Sequence, residues 1–147
     1  MLDSAEILKK ALKQGVPHPL LLGRTLAMIF EKPSLRTRAT FETGITQLGG
    51  HAIDLAHEHL QIGVRESIED VGRNLARWVD IIMARVFKHE TLTQLASAAD
   101  IPIINGLSDQ SHPCQILADL LTLREHRGHL EGLKLAYVGD GFNIANS

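Results

Sequence analysis

Cysteine is almost missing from this chain. Cys114 stands alone among 147 residues, so no disulfide can form within the chain, and a cytoplasmic home is the expectation. An excess of charge is missing too: 15 Lys and Arg face 17 Asp and Glu, a balance that gives no reason to look for nucleic acid. No uninterrupted apolar stretch approaches the roughly 20 residues of a membrane-spanning helix. With an ordinary apolar fraction of 44%, a soluble globular protein is expected. The start, Met1-Leu2-Asp3-Ser4-Ala5-Glu6, has no basic segment leading into an apolar one, so no secretory signal is visible. Internal repeats and low-complexity tracts are lacking. The eight histidines form no spaced ligand set beside cysteine, and His126 with His129 read as a surface pair, so no metal site is expected.

What is present is a strict alternation of elements. Asp3 to Gln14 carries apolar residues at helical spacing until Pro17 and Pro19 break the pattern. Apolar segments of strand length recur at Leu26–Phe30, Ala52–Leu55, Ile81–Val86, Ile101–Ile104 and Leu133–Val138. Amphipathic stretches separate them, among them Ser67–Val79, Glu90–Ala99 and Pro113–His126. Strands alternating with helices imply an α/β fold with an open parallel sheet, and runs of Ile, Val, Leu and Met fit a sheet covered by helices on both faces. Gly49-Gly50 and Asn105-Gly106 punctuate the joints. After Leu133–Val138 and the turn Gly139–Asn143, Ile144–Ser147 ought to open another helix where the sequence stops. A truncated fragment is therefore expected.

The segment Ser34-Leu35-Arg36-Thr37-Arg38 follows the first strand and opens a helical stretch running to Leu48. Hydroxyls on Ser34 and Thr37, the free amides of a first helical turn and the Arg36 guanidinium could converge on one phosphate, aided by the helix dipole. Taken alone, Ser34 as a simple N-cap beside solvated arginines is the stronger reading. His112-Pro113-Cys114-Gln115 begins a later helix on the same carboxyl rim of the sheet. There a histidine can donate to a carbonyl oxygen, and a glutamine can serve an amide-like substrate with donor and acceptor. An equally good reading makes His112 a cap and Gln115 its capping-box partner. Arg85 ends the apolar run Ile81–Ala84 and would emerge at the same crevice, or would be a snorkelling edge charge. Asp119 lies beside an apolar stripe, where it would orient an arginine or His112, or make a structural hydrogen bond; the last is favoured.

Four motifs in order carry a resemblance: Phe30-Glu31-Lys32-Pro33-Ser34-Leu35-Arg36-Thr37-Arg38, Gln47-Leu48-Gly49-Gly50-His51-Ala52, Gln61-Ile62-Gly63 with Glu66-Ser67-Ile68, and His112 through Leu120. In these the chain resembles the ornithine carbamoyltransferases over nearly its whole length. The resemblance implies the carbamoyl-phosphate-binding half of a two-domain enzyme, over residues 1–132, with 133–147 as the start of a truncated ornithine-binding domain. It also implies that Ser34, Arg36, Thr37 and the Leu35 amide hold the phosphate, that Arg85 reaches phosphate and carbonyl oxygen, that His112 polarises the carbonyl, and that Gln115 binds the carbamoyl nitrogen within the segment His112, Pro113, Cys114, Gln115. Gln61 would reach the active site of a neighbouring subunit in a homotrimer with shared sites. Asn143 would bind the amino-acid end of L-ornithine.

The implied reaction needs no cofactor, metal or covalent intermediate, because phosphate is already a competent leaving group, and Cys114 is not expected to act as a nucleophile. Two positions depart from the family pattern: Leu35 replaces the usual threonine, and Phe142 the first asparagine of a G-D-G-N-N turn. Loss of one hydroxyl donor weakens phosphate binding modestly, by about 0.5–1.5 kcal/mol. The family's ornithine-binding segments are not in this sequence, so little or no turnover by the chain alone is expected. Carbamoyltransferases for putrescine, acylated ornithine or aspartate are the nearest alternatives, aspartate being disfavoured by Cys114 and Gln61-Ile62-Gly63. A non-catalytic anion-binding assembly module and an inert fragment are the remaining ones.

Overall fold

The computed structural model describes residues 1–56, 60, 62–139, 141 and 143–147. Gln61 and Phe142, both singled out above, lie outside the described residues, as does Asp140 of the terminal turn. Among the described residues, nine elements run in chain order: α1 (Leu2–Lys13), β1 (Thr25–Phe30), α2 (Leu35–Gln47), β2 (His51–Ala56), α3 (Ile68–Leu75), β3 (Ile81–Arg85), α4 (His89–Ala98), β4 (Ile103–Leu107) and α5 (Pro113–Arg127). The four strands form one sheet in the order β2-β1-β3-β4, with every pairing parallel. No described helix is long and apolar enough to cross a membrane.

The period-2 geometry of strands divides the core in two. Ala27 and Ile29 of β1 with Ile82 and Ala84 of β3 face α3 and α4, where Val71, Leu75, Leu92 and Leu95 cover them. The intervening Leu26, Met28, Phe30 and Met83 face the other way and meet Phe41 and Ile45 of α2. Continuous apolar strands are the consequence of being covered on both faces. Salt bridges fasten α5 to α1: Arg124 pairs with Asp3 and Glu6 at 2.7 and 2.6 Å, and Lys9 with Glu125 at 2.7 Å.

The Gly49-Gly50 punctuation closes α2 by a Schellman arrangement. Gly49 N–H donates to the Thr46 carbonyl and Gly50 N–H to that of Ile45, each at 2.9 Å, with Gly49 at φ +83°. Asn105-Gly106 behaves differently from the joint expected of it. Both residues belong to β4, and the register shifts so that Ala84 pairs with Asn105 while Arg85 pairs with Leu107. Gly106 is the extra residue of a bulge, and a Cβ there would lie 2.5 Å from Met83 Sδ and 3.3 Å from the Ala84 carbonyl oxygen. Glycine here permits close approach and re-aims the strand as it leaves the sheet.

The expected strand at Leu133–Val138 is not formed. Leu135 and Val138 are 77% and 95% exposed, and no described strand runs beside them to supply a hydrogen-bonded ladder, without which apolar periodicity has no sheet to join. Residues 143–146 form a turn rather than the opening of a helix. Its bonds run from Ser147 N–H to the Ile144 carbonyl and from the Ser147 hydroxyl to the Asn143 carbonyl.

Candidate active site

Parallel strands direct all their carboxyl ends to one rim, so the loops after β1, β3 and β4 meet there. Between them lies a cleft of about 670 Å³, lined among others by Ser34, Leu35, Arg36, Thr37, Arg85 and His112. Cys114 and Gln115 also line it. Eight of the sequence-derived candidates thus share one cavity although they come from three segments as much as 81 residues apart, the start of α2, the end of β3 and the start of α5.

Ser34 occupies the N-cap position of α2 in extended conformation, φ −153° and ψ 104°, but its hydroxyl makes no capping bond. The hydroxyl and the first-turn amides are left to the cleft, since those amides have no carbonyl behind them in the helix. Arg85 Nη1 donates to the Thr37 hydroxyl at 3.0 Å. Arg85 Nε is buried with no partner. Among the described residues neither Arg36 nor Arg85 forms an ion pair with a carboxylate. Burial, and then the nearby Arg36 charge, lower the Arg85 pKa, yet a guanidinium stays protonated at neutral pH. Two cations therefore line one cleft whose described lining holds no carboxylate, beside the positive end of α2. Arg38, the second arginine of the motif, instead pairs with Asp54 of β2 at 2.7 Å.

His112 is the N-cap residue of α5. Its backbone N–H donates to the Ser147 hydroxyl at 2.6 Å, and its ring Nδ1 is buried without a partner. Burial first, then the Arg85 charge, hold its pKa below the usual histidine value, against an opposing pull from Asp119. The imidazole is neutral at neutral pH, with one N–H to donate. Pro113 stands in the first turn of α5, where its missing N–H costs nothing. The capping-box alternative for Gln115 is not what forms: Gln115 Nε2 donates to Asp119 Oδ1 at 2.9 Å. That same bond is the structural partner of Asp119, in place of an arginine or His112. Burial raises the Cys114 thiol pKa, and its Sγ donates to the Asn105 carbonyl at 3.4 Å, so it is a thiol rather than a thiolate. Asn143 donates from Nδ2 to the Ser108 carbonyl at 2.7 Å and so ties the terminal turn to the loop before His112; Ile144 beside it reaches the cleft.

Sequence reasoning passed over the groups that hold these loops together. Glu31 N–H donates to the Arg85 carbonyl at 2.9 Å, and Glu31 Oε2 accepts from Phe87 N–H at 2.5 Å. Lys32 Nζ sits 5.2 Å from the centroid of the Phe87 ring. The β1 and β3 loops are thereby clamped on either side of Arg85. A second clamp joins the β3 and β4 loops: His89 Nδ1 lies 3.0 Å from the hydroxyl of fully buried Ser108, and His89 N–H donates to Asp109 at 2.8 Å. The Ser108 hydroxyl accepts from the amides of Gln110 and Ser111, and is thereby occupied as a loop fastener. Glu31 and Lys32 carry a sequence signal as members of the first motif, while Phe87, His89, Ser108 and Asp109 have their place just after strand ends.

Residues 1–125 match the family described as aspartate/ornithine carbamoyltransferase, carbamoyl-P binding domain. The chain is 55% identical over all its 147 residues to an ornithine carbamoyltransferase of Anoxybacillus flavithermus, covering 47% of that protein. It is 54% identical, again over its full length and 47% of the relative, to one of Thermococcus kodakarensis. Among solved structures, the ornithine carbamoyltransferase of Pyrococcus furiosus superimposes with a TM-score of 0.96 at 53% identity, over 98% of this chain and 46% of that one. The enzyme of Thermus thermophilus gives 0.88 at 49%, over 97% of this chain and 50% of that one. The chain spans about half the length of the curated relatives it matches. Parallel sheet, cleft and sequence agree, and the chain belongs to the aspartate/ornithine carbamoyltransferase family through its carbamoyl-P binding domain.

Proposed function

We propose that this chain is the carbamoyl-phosphate half of an enzyme that transfers the carbamoyl group from carbamoyl phosphate to the side-chain amine of L-ornithine, giving L-citrulline and phosphate. The observation that carries the reading is the pair Arg36 and Arg85, uncompensated by any carboxylate among the described residues and sharing a cleft with the unengaged Ser34 hydroxyl. An anion with several oxygens satisfies them together.

In this reading Ser34, Arg36, Thr37 and the amides of the first α2 turn, including that of Leu35, hold the phosphate. Arg85 spans phosphate and carbonyl oxygen, helped by the Thr37 contact that fixes its direction. Neutral His112 donates to the carbonyl oxygen, and Gln115 takes the carbamoyl nitrogen. The neutral amine attacks the carbonyl carbon, negative charge gathers on the carbonyl oxygen under Arg85 and His112, and the C–O bond to phosphate breaks as the amine loses a proton. Donors aimed at that oxygen are each worth about a hundredfold to a thousandfold in rate. Gln61 of a neighbouring subunit, a homotrimer with shared sites, Asn143 on the amino acid, and a cytoplasmic role in arginine metabolism complete the proposal. The relatives' names support ornithine as the acceptor.

Calorimetric titration of carbamoyl phosphate into the chain at low salt, beside Arg36→Ala and with the oligomeric mass measured on the same sample, tests this. Saturable binding that Arg36→Ala abolishes is the expected result. A folded chain whose binding is unaffected by Arg36→Ala would overturn the assignment of Ser34–Thr37. Citrulline formation by the purified 147-residue chain would overturn the expectation that it needs a second half.

A further inference from the structure

The described cleft wall sets cations and hydroxyls among apolar residues such as Leu35, Phe41 and Leu107, and Gln115 is its one primary amide, a group that can present either its nitrogen or its oxygen. One hydrogen bond bears on that choice. Gln115 Nε2 donates to Asp119 Oδ1 at 2.9 Å, one helical turn further along α5. A carboxylate accepts and does not donate, so the amide nitrogen is the end that Asp119 can hold; one of its two hydrogens is used there, and Oε1 keeps its full accepting capacity. Asp119 itself is exposed and does not line the cleft, whereas Gln115 does.

We infer that Asp119 is a positioning residue that fixes Gln115 as a hydrogen-bond acceptor, so that the cleft selects an acyl phosphate carrying N–H groups on its carbonyl carbon over one carrying a methyl group. The inference deepens the proposed function and rests on it. Carbamoyl phosphate and acetyl phosphate have the same phosphate and the same carbonyl, and differ by an amino group against a methyl group of similar size. Arg36, Arg85 and His112 treat the two alike. Only an acceptor at the amino position separates them, because the methyl group leaves that acceptor unpaired, and sites built around such a bond reject the analogue that lacks it.

The test is competition of carbamoyl phosphate and acetyl phosphate against inorganic phosphate, followed by calorimetry or amide chemical shifts, on the unmodified chain, Asp119→Asn and Asp119→Glu. The ratio of the two acyl-phosphate affinities is read within each variant, so any general loosening of the site cancels. In the unmodified chain the ratio is expected to favour carbamoyl phosphate by about tenfold or more. Asparagine can hold Gln115 by either end, so Asp119→Asn is expected to bring the ratio to within about threefold of unity, and Asp119→Glu, which keeps a carboxylate within reach, to restore most of it. An unchanged ratio in Asp119→Asn overturns the inference. So does phosphate binding without preference in the unmodified chain, and in that case the anion site survives. Absence of any phosphate binding overturns the site reading itself and the inference with it.

Discussion

Arg85 Nη1 and the Thr37 hydroxyl are joined at 3.0 Å across 48 residues of sequence, so the last residue of β3 is held against the first turn of α2. That bond places a guanidinium at a helix N-terminus, where two positive fields add. The proposed anion site would find this arrangement already in place.

Arg85→Met is accordingly expected to separate binding from stability. It removes a half-buried cation that burial and Arg36 both disfavour, so thermal stability without ligand should hold or rise slightly. Phosphate affinity should fall by roughly tenfold to a hundredfold, the worth of a charge-assisted bond. Thermal melts with and without millimolar phosphate check both halves, and a large stability loss in the absence of phosphate would count against the reading.

His112 supplies a pH signature. Its folded-state pKa is lowered, chiefly by burial, so the unfolded chain takes up the proton first, near about 6.5. The contribution of His112 to stability is therefore complete above that pH and is lost as pH falls from there through the folded value. In a titration followed by proton NMR, the ring signal should have its midpoint below the ordinary histidine value, and phosphate should move that midpoint upward by placing negative charge beside the ring. A midpoint insensitive to phosphate would remove His112 from the anion's surroundings.

Gly106→Ala tests the bulge. The new methyl group would meet Met83 Sδ, fully buried, and the Ala84 carbonyl. A cost of about 1–3 kcal/mol is expected in urea unfolding, as for other overpacked interiors. Adding Met83→Val should recover part of it, because the nearer obstruction is then gone, whereas no recovery would point to the backbone contact.

Glu31→Ala should weaken phosphate binding although Glu31 does not line the cleft, because it frees Phe87 N–H and loosens the strand end that carries Arg85. A loss of roughly threefold to tenfold is expected, with Glu31→Gln retaining most of the affinity through its amide oxygen. Equal losses in both variants would mean that the charge, and not the bond to Phe87, is what matters.

The pattern of apolar segments was enough to place four strands and five helices of the described chain, because hydrophobic period is a local property that burial on a given face enforces. Bounds moved at the ends of elements: Ser67–Val79 shortened to α3 at Ile68–Leu75 although Val79 stays in the core, and Ile101–Ile104 became β4 at Ile103–Leu107. The two chemical segments, Ser34–Thr37 and His112–Gln115, were legible for the same reason, since a strand end followed by a helix start is written in contiguous residues. Once the sheet is parallel, their meeting at one rim follows from topology.

By itself, then, the sequence determined the alternating α/β order, the parallel sheet and the family, and it named the candidate residues that the cleft brings together. Tertiary structure decided the rest. Whether Leu133–Val138 becomes a strand depends on a neighbouring ladder. Whether Asn105-Gly106 is a joint or a bulge depends on Met83 beneath it, and whether Asp119 holds an arginine, His112 or Gln115 depends on how α5 sits over the cleft. The Glu31 and His89 clamps join loops that the sequence separates by 56 and 19 residues. Their partners are chosen by where the chain returns in space, and local period and composition carry no record of that distance.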